Sequence, residues 1–332
     1  MRLRRVGRGP ERTATALVLA LAVLLTGVSC GRAAVVPGSL ADGGLTLEGR
    51  TYRVGGKDFP EQRVLCQITL VALRSLGATA DDRCGIPSAA TRAALAPTAR
   101  IDLYWEYLTT AGTFLGPLPD TRDPAVLHRA VADADAARNG VVWLPPAPFD
   151  DSYALAVSRA SADRLGVRTI GDWARLVRSG SPEATLCVEP EFAARSDGLG
   201  SLRAAYGVGR DDRLDGPPGL SVVDADVVYE AVARANPCVF GEVFSTDGRV
   251  RGRDLVLLDD DRDHFPPYNA APTVRREVLE RDPALAPVLT RLSARLTDDV
   301  VSDLNARVSV DGRDPTAVAT DWLVGEGLVG RG

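Results

Sequence analysis

The chain has 332 residues, a quarter of them charged, and a formal net charge of −5. This acidic balance argues against a nucleic-acid partner, and the length suits two domains or lobes. Two histidines and five cysteines without any C-x-x-C spacing give no ligand set for a metal, so we expect neither a metal nor a cofactor.

The first thirty residues have the layout of an export signal. Five arginines between positions 2 and 12 precede an apolar run over 14–28, which ends at small residues and Cys30. The run is too short for a membrane span. Residues 26–30 are similar to a bacterial lipobox, in which the cysteine is lipidated, although Gly27 replaces the usual leucine. We therefore expect a lipoprotein signal peptide over 1–30 and a lipid anchor at Cys30; an ordinary cleaved signal is the alternative.

Removing the signal makes the chain more acidic, because residues 1–29 carry five arginines and one glutamate. Residues 31–48 are rich in glycine, alanine and proline, a composition typical of a flexible tether. We predict that such a tether joins the anchor to the folded part.

Beyond the tether, short apolar strands alternate with amphipathic helices, which indicates α/β layers. A strand over 52–54 precedes a helix, for which we predict Asp58 as N-cap, Glu61 as the capping-box partner and Gly77 as the end. Further strands are predicted at 100–107 and 141–144. The prolines of 145–148 then break the chain, and we place the first crossover between lobes there.

The second half of the chain predicts a second lobe. We expect helices at 170–178, 200–206 and 225–235, strands at 185–188 and 238–244, and a strand at 254–258 that leads back to the first lobe. The tail over 273–328 is predicted to be helical. Lobe I therefore comprises 49–148 and 251–330, and lobe II comprises 149–250.

Four cysteines remain after the signal. An even number in an exported protein indicates disulfides. We favour Cys66–Cys84 and Cys187–Cys238, because each pair then lies within one lobe; the other connectivities and free thiols are the alternatives.

The sequence offers no catalytic constellation. The segment 55–57 (GGK) lacks the earlier glycine and the Ser/Thr of a phosphate loop, and there is no G-x-S-x-G motif. The acidic run 259–261 lacks the spacing of a calcium loop. We expect a binding protein and not an enzyme.

Two features of the sequence indicate a charged ligand: a single lysine, and aromatic residues that could bind a cation. Lys57 is the single lysine among 39 basic residues, which suggests a position that needs a compact ammonium group. Sparse aromatic residues lie at predicted strand ends, and ring faces attract cations; each ring alone could equally be packed in the core. These aromatic residues are Tyr107, Tyr153, Phe244 and Tyr268.

Six stretches in order resemble the substrate-binding proteins of ABC importers for osmoprotectants such as glycine betaine, choline and carnitine. They are residues 54–62 (VGGKDFPEQ), 101–107 (IDLYWEY), 151–155 (DSYAL), 190–198 (PEFAARSDG), 244–249 (FSTDGR) and 265–269 (FPPYN). The resemblance implies a type II periplasmic binding protein fold, with two α/β lobes, two crossover strands and a ligand cleft between the lobes. It also implies a membrane permease with a separate ATPase as partners, and a monomer.

Carried over by motif, the four aromatic residues would surround a quaternary ammonium group. Lys57, Thr110 and Arg195 would bind a carboxylate at the other end of the ligand, and the main chain near Asp151 would contact it. Phe244 stands where many relatives have tyrosine, and residues 85–92 (GIPSAATR) lack an acid that some choline-selective relatives carry. The resemblance therefore favours a glycine betaine-like zwitterion. A receptor for another cationic metabolite, or a ligand sensor or scaffold without transport, is the alternative.

Overall fold

The structure, a computed structural model, describes residues 35–195, 197–209, 214 and 219–332. The strands within these residues are β1 (Val35–Pro37), β2 (Thr51–Lys57), β3 (Thr79–Ile86), β4 (Leu103–Tyr107), β5 (Val141–Trp143), β6 (Tyr153–Ser158), β7 (Leu186–Val188), β8 (Leu220–Val222), β9 (Phe240–Phe244), β10 (Leu255–Leu257), β11 (Ala270–Arg275) and β12 (Val329–Arg331).

The α-helices alternate with these strands in the first two thirds of the chain and follow one another near its end. They are α1 (Pro60–Ser75), α2 (Ser88–Leu95), α3 (Gly112–Leu115), α4 (Pro124–Asn139), α5 (Arg159–Leu165), α6 (Ile170–Arg178), α7 (Pro190–Ala194), α8 (Leu199–Tyr206), α9 (Ala225–Arg234), α10 (Gly248–Gly252), α11 (Arg276–Arg281), α12 (Leu285–Ser293), α13 (Asp298–Ser309) and α14 (Pro315–Gly325). None of the helices in the described part of the chain has the length and apolar character of a membrane span.

Two five-stranded sheets form the two lobes. The sheet of lobe I has the order β3-β2-β4-β11-β5, and the sheet of lobe II has the order β10-β6-β9-β7-β8. Each sheet is mixed: β11 runs antiparallel to its neighbours in lobe I, and β6 does so in lobe II. Helices α13 and α14 pack on α1 in lobe I, and α9 packs on β9 in lobe II. The α/β layers predicted from the sequence are confirmed.

Two crossover segments join the lobes, over 144–152 and 258–269. They lie side by side, because Asp150 and Asn269 form an antiparallel bridge. The Asn269 amide donates to the carbonyl of Phe149 over 2.9 Å, and Asp150 Oδ1 accepts the backbone N–H of Tyr268 over 2.7 Å. These hydrogen bonds hold the two crossover segments together between the lobes.

Helix α1 follows the pattern that predicted it, apart from its first turn. Val64, Ile68 and Val71 form a buried apolar face, and Gly77 stands just after the helix with φ +90°. The predicted N-cap is wrong: the N-cap residue is Phe59, which makes no side-chain cap. Pro60 in the first turn supplies a preset φ and needs no N–H partner, so the helix begins without a capping side chain.

The predicted tether over 31–48 is wrong from residue 35 onward. Strand β1 pairs with β12, the last strand of the chain. Leu40 and Leu47 are fully buried, and the Leu47 N–H donates to the Leu76 carbonyl over 2.8 Å. Strand pairing, the backbone hydrogen bond and two buried leucines thus fix this glycine-rich segment against lobe I. Cys30 and the signal peptide lie outside the described residues.

The boundary that we predicted at residue 250 also needs correction. Strand β10 pairs with β6 at the edge of the lobe II sheet, so lobe II continues to about residue 257. The return to lobe I is the following segment, which contains Phe265 and Tyr268.

Each lobe carries one disulfide. Cys66 in α1 is bonded to Cys84 in β3, and Cys187 in β7 is bonded to Cys238 just before β9. This is the connectivity that the sequence analysis favoured.

Candidate functional site

A cavity of about 880 Å³ lies between the two sheets and is lined from both lobes and the crossover segments. Each of the eight residues proposed from the sequence as ligand-binding lies on its wall. They are Lys57, Tyr107, Thr110, Asp151, Tyr153, Arg195, Phe244 and Tyr268. Residues separated by up to 211 positions are therefore brought to one cleft.

Three of the four predicted rings form a continuous aromatic wall on the lobe II side. Tyr153 opens β6 and stands directly opposite Phe244, the last residue of β9, so both side chains lie on one face of the sheet. Their ring centroids are 5.1 Å apart, and the ring of Tyr268 meets Tyr153 edge-on at 5.7 Å. Phe192 packs on Tyr153 at 4.9 Å. Neighbouring rings therefore hold each ring of the wall in place.

Tyr107 belongs to a separate part of the cleft. It ends β4 in lobe I, its ring stacks on Phe59 at 6.2 Å, and its hydroxyl donates to Glu61 over 2.6 Å. The predicted four-ring box is therefore divided, with three rings on one wall and Tyr107 on lobe I. A cation could contact all four rings only if it lay between the two lobes.

Lys57 already has an acidic partner. Its Nζ lies 2.5 Å from Glu106 Oε1, and both side chains are almost fully buried. Glu106 also accepts the hydroxyl of Tyr104 over 2.6 Å and the backbone N–H of Tyr107 over 2.9 Å. The Lys57 ammonium lies 5.0 Å from the centroid of the Tyr107 ring. The lysine thus neutralises Glu106 at the edge of the cleft.

Arg195 is similarly engaged. Its guanidinium forms a two-point pair with Asp197, with both N···O distances 2.8 Å, and donates to the Tyr268 hydroxyl over 2.8 Å. It also lies 5.8 Å from the Tyr153 ring centroid. Hydrogen bonding to Asp197 raises the pKa of Arg195, so the group stays charged. Arg195 holds the Tyr268 ring in place in addition to presenting positive charge.

A pair of buried carboxyl groups, Glu61 and Asp151, also lines the cleft. The Thr246 hydroxyl is 2.6 Å from both Glu61 Oε2 and Asp151 Oδ1. Burial raises the pKa of Glu61, and burial together with the charge of Glu61 raises the pKa of Asp151 well above its usual range. Within the described residues, neither carboxyl group forms a salt bridge.

The remaining lining cations are also paired. Arg92 binds Asp135 through two N–H groups, and Arg249 binds Asp247 in the same way while stacking on Tyr229 at 3.8 Å. The acidic lining residues thus include carboxylates that the protein's own cations do not neutralise. The cleft has an excess of negative charge.

Comparison with known proteins agrees with this geometry. The model of the family described as the substrate binding domain of ABC-type glycine betaine transport system (OpuAC) matches residues 50–324. The chain belongs to this family. The prediction of a solute-binding protein of ABC transporters that is not an enzyme is confirmed.

Two curated members of the family match along most of their length. A glycine-betaine-binding protein of Pseudomonas aeruginosa is 36% identical over 281 residues, which cover 83% of this chain and 88% of that protein. The glycine betaine-binding protein YehZ of Escherichia coli is 27% identical over 279 residues, covering 83% and 90%.

Solved structures show the same two-lobed fold. The ligand-free structure of YehZ superposes with a TM-score of 0.69 at 28% identity, covering 84% of this chain and 99% of that one. A glycine betaine/carnitine/choline ABC transporter structure gives a TM-score of 0.71 at 20% identity, covering 83% and 99%. The fold class implied by the family resemblance is therefore confirmed.

Apart from Asp151, the acidic residues of the cleft were not predicted from the sequence. Glu61 and Glu106 lie inside two of the stretches that carried the resemblance, and the hydroxyl residue Thr246 lies inside a third, yet none of the three was assigned to the ligand site. The adjacency of Glu61 to Lys57 in one motif was an available signal. Asn305, which lines the cleft from α13, has no local signal because its side-chain partners, Glu61 and Thr246, lie in two distant segments.

Proposed function

We propose that this chain captures a quaternary ammonium compatible solute of the glycine betaine type and delivers it to a membrane permease driven by a separate ATPase. It acts as an exported monomer, held at the outer face of the cytoplasmic membrane by a lipid on Cys30. Lobe closure around the solute is the expected conformational step.

The aromatic wall of Tyr153, Phe244 and Tyr268 is the observation that carries the proposal. A quaternary ammonium has no N–H to donate, so ring faces and diffuse negative charge suit it better than localised hydrogen-bond acceptors. The wall lies in a cleft with excess acidic side chains, and the family relationship adds support.

The binding free energy expected from the rings alone is too small for tight binding. Four ring contacts at about 0.5–2 kcal/mol each give roughly 2–8 kcal/mol. A micromolar dissociation constant needs about 8 kcal/mol net of binding costs. A second set of contacts must therefore contribute, and charged groups of the cleft are the available source.

A carboxylate on the ligand would meet Lys57 and Arg195 with Thr110 beside them, as the family resemblance implies. Lys57 has three N–H groups and gives one to Glu106, so it can still donate to a ligand. Arg195 would exchange or share part of its contact with Asp197 or Glu191. This clamp is weaker than one built from unpaired cations.

Isothermal titration calorimetry with a methylation series tests the proposal. Glycine betaine, dimethylglycine, sarcosine and glycine share the carboxylate and differ in the methyl groups that meet the rings. We expect the affinity to fall at every step, with the first loss at least about tenfold, or 1.4 kcal/mol. Equal affinity for glycine and glycine betaine, or no binding of glycine betaine, choline or carnitine below millimolar concentration, would refute it.

Phe244 supplies a matched pair of variants. Phe244→Leu keeps an apolar side chain but removes the π face, and should weaken glycine betaine by about 2- to 30-fold, corresponding to 0.5–2 kcal/mol. Phe244→Tyr keeps the ring and should change the affinity little. If the two variants behave alike, the ring at position 244 does not contact the cation.

A further inference from the structure

We propose that Glu61 and Asp151 form an anionic subsite for the ligand's cation. Without ligand, the pair holds one shared proton, and the cation expels this proton on binding. The inference rests on the proposed function, since it assigns the cation to the same cleft. It adds two recognition residues and makes affinity depend on pH.

Sheet geometry brings Asp151 to the aromatic wall. Asp151 and Tyr153 are two residues apart, as are Phe244 and Thr246, and Tyr153 pairs with Phe244. The pairing continues past the strand ends, because the Ser245 N–H donates to the Ser152 carbonyl over 2.9 Å. Alternation therefore places all four side chains on one face. Glu61 reaches this face from α1.

The proton count follows from the Thr246 hydroxyl. Its oxygen lies 2.6 Å from a carboxyl oxygen of each acid. A hydroxyl carries one hydrogen and can donate to only one of two acceptors. If both acids were ionised, one of the two short contacts would join lone pairs without a hydrogen between them. A proton on one carboxyl group makes both contacts hydrogen bonds.

The other hydrogen bonds identify the acid that carries the proton. Glu61 accepts the Tyr107 hydroxyl on Oε1 over 2.6 Å and the Asn305 amide on Oε2 over 2.8 Å, and these donors stabilise its ionised form. Asp151 accepts only a long backbone N–H from Thr246, at 3.4 Å, besides the contact with the hydroxyl. Asp151 therefore donates to Thr246, and Thr246 donates to Glu61.

Of the ionisable groups around the pair, Asp247 favours retention of one proton, whereas Tyr107 stabilises the ionised form of Glu61. Tyr107 on β4 is neutral, since burial and the charge of Glu61 raise its pKa well above the usual value. Asp247, at the start of α10, adds negative charge that raises the pKa of both acids, although Arg249 pairs with it. Helix α13 contributes the neutral Asn305. Lys57, the nearby cation on β2, is bonded to Glu106.

Two acceptor atoms at the cleft have no hydrogen-bond donor among the described residues. Asp151 Oδ2 has no hydrogen-bond partner among the described residues, and Asp151 lines the cavity. Asn305 is 3% exposed, lines the same part of the cleft, and its Oδ1 likewise accepts nothing from the described residues. These two acceptor atoms, beside the pair that shares a proton, could interact with the polarised C–H groups of a quaternary ammonium cation.

Linkage fixes the sign of the pH effect. A cation binds better to the doubly ionised pair, so ligand and proton compete. Below the pKa of Asp151 in the empty cleft, affinity should rise with pH by at most about tenfold per unit. It should level off above that pKa, where no proton remains to be expelled.

Calorimetry of the wild-type chain tests this without any variant. Glycine betaine is titrated at one pH in two buffers of different ionisation enthalpy, and the difference in binding enthalpy gives the protons released. We expect release of up to one proton per ligand and an affinity that rises with pH. Binding without proton release and with constant affinity from mildly acidic to mildly basic pH would overturn the inference.

Asp151→Asn mimics the protonated acid, because its amide can donate to Thr246. This variant should release no proton, show no pH slope, and bind at all pH values about as weakly as the wild type does at low pH. Asp120→Asn, at a side chain that is 96% exposed, is the control and should keep both the release and the slope. Proton release that persists in Asp151→Asn would also overturn the inference.

Titration of ¹³C-labelled carboxyl groups by NMR, without ligand, separates this inference from the proposed function. A carboxyl group that titrates well above the ordinary aspartate range in the wild type and is missing in Asp151→Asn supports the shared proton. Its absence in the wild type overturns the shared proton. If no quaternary ammonium solute binds, the proposed function is refuted. The role of Glu61 and Asp151 in ligand recognition is then refuted as well.

Discussion

Replacement of Lys57 by methionine tests whether the single lysine of the chain is mainly an internal partner. The substitution keeps an unbranched side chain of similar length but removes the ammonium group that lies 2.5 Å from Glu106. Glu106, which is 1% exposed, keeps the Tyr104 hydroxyl and the Tyr107 N–H as donors and loses its only salt bridge among the described residues.

Removing one partner of a buried ion pair costs roughly 3–5 kcal/mol, because the remaining charge is left without compensation. Two remaining hydrogen bonds place the expected loss near the lower end, about 3 kcal/mol. A folded part of about 300 residues loses somewhat under 2 °C in Tm per kcal/mol, so Tm should fall by roughly 5 °C.

Urea denaturation followed by circular dichroism measures the loss, and a double-mutant cycle assigns it. Lys57→Met with Glu106→Gln removes both charges, so the double variant should be more stable than Lys57→Met alone. A loss below about 1 kcal/mol for Lys57→Met, or a double variant whose loss is the sum of the two single losses, would refute the internal-partner role.

Three further predictions concern the clamp, the contact between lobes and the disulfides. At a temperature where it remains folded, Lys57→Met should weaken glycine betaine more than choline, which has no carboxylate; equal losses in calorimetry would remove Lys57 from the clamp. Gly248→Ala would overlap the backbone of Ala306, where α10 packs on α13, and should cost about 1–3 kcal/mol or more in denaturation. Gly200→Ala is its control, since the added methyl meets nothing within 4 Å, and equal effects would contradict the tight contact. Chain entropy predicts that losing Cys187–Cys238, which spans 51 residues, costs about 4 kcal/mol, and that losing Cys66–Cys84, which spans 18, costs about 3 kcal/mol; the opposite order would show that local packing dominates.

The elements that could be predicted from the sequence are those whose signal is local. Helix α6 has the predicted bounds, 170–178, because a capping box and a clear apolar face define it within nine residues. Strand β9 is likewise close to the predicted 238–244. In both cases the sequence pattern that identifies the element lies within the segment itself.

The segment 35–48 shows the opposite case. Its composition is that of a tether, and the partners that order it are β12, nearly 300 residues later, and the end of α1. Strand β10 was assigned to the wrong lobe for a similar reason. Its apolar pattern is correct, but hydrogen bonding to β6 decides which sheet it joins.

At the site, the sequence predicted residue types better than it predicted their partners. Aromatic residues at strand ends were recognised one by one, and the register of β6 against β9 then brings Tyr153 and Phe244 together. Lys57 was singled out by composition as a position that needs an ammonium group. Composition does not distinguish an ammonium group that binds a ligand from one that binds Glu106. The difference is a contact with a residue 49 positions later in the sequence.

These pairings bear on the charge of the ligand. Lys57, Arg92, Arg195 and Arg249 line the cleft, and each has a carboxylate partner within the protein. An anionic ligand would therefore have to compete with partners that are already in place. A cation meets the opposite situation, since Glu61 and Asp151 have no cationic partner among the described residues and lie beside the aromatic wall. Rings and carboxyl groups thus favour the same end of the ligand, so the cationic group should determine affinity, and a carboxylate should only adjust it.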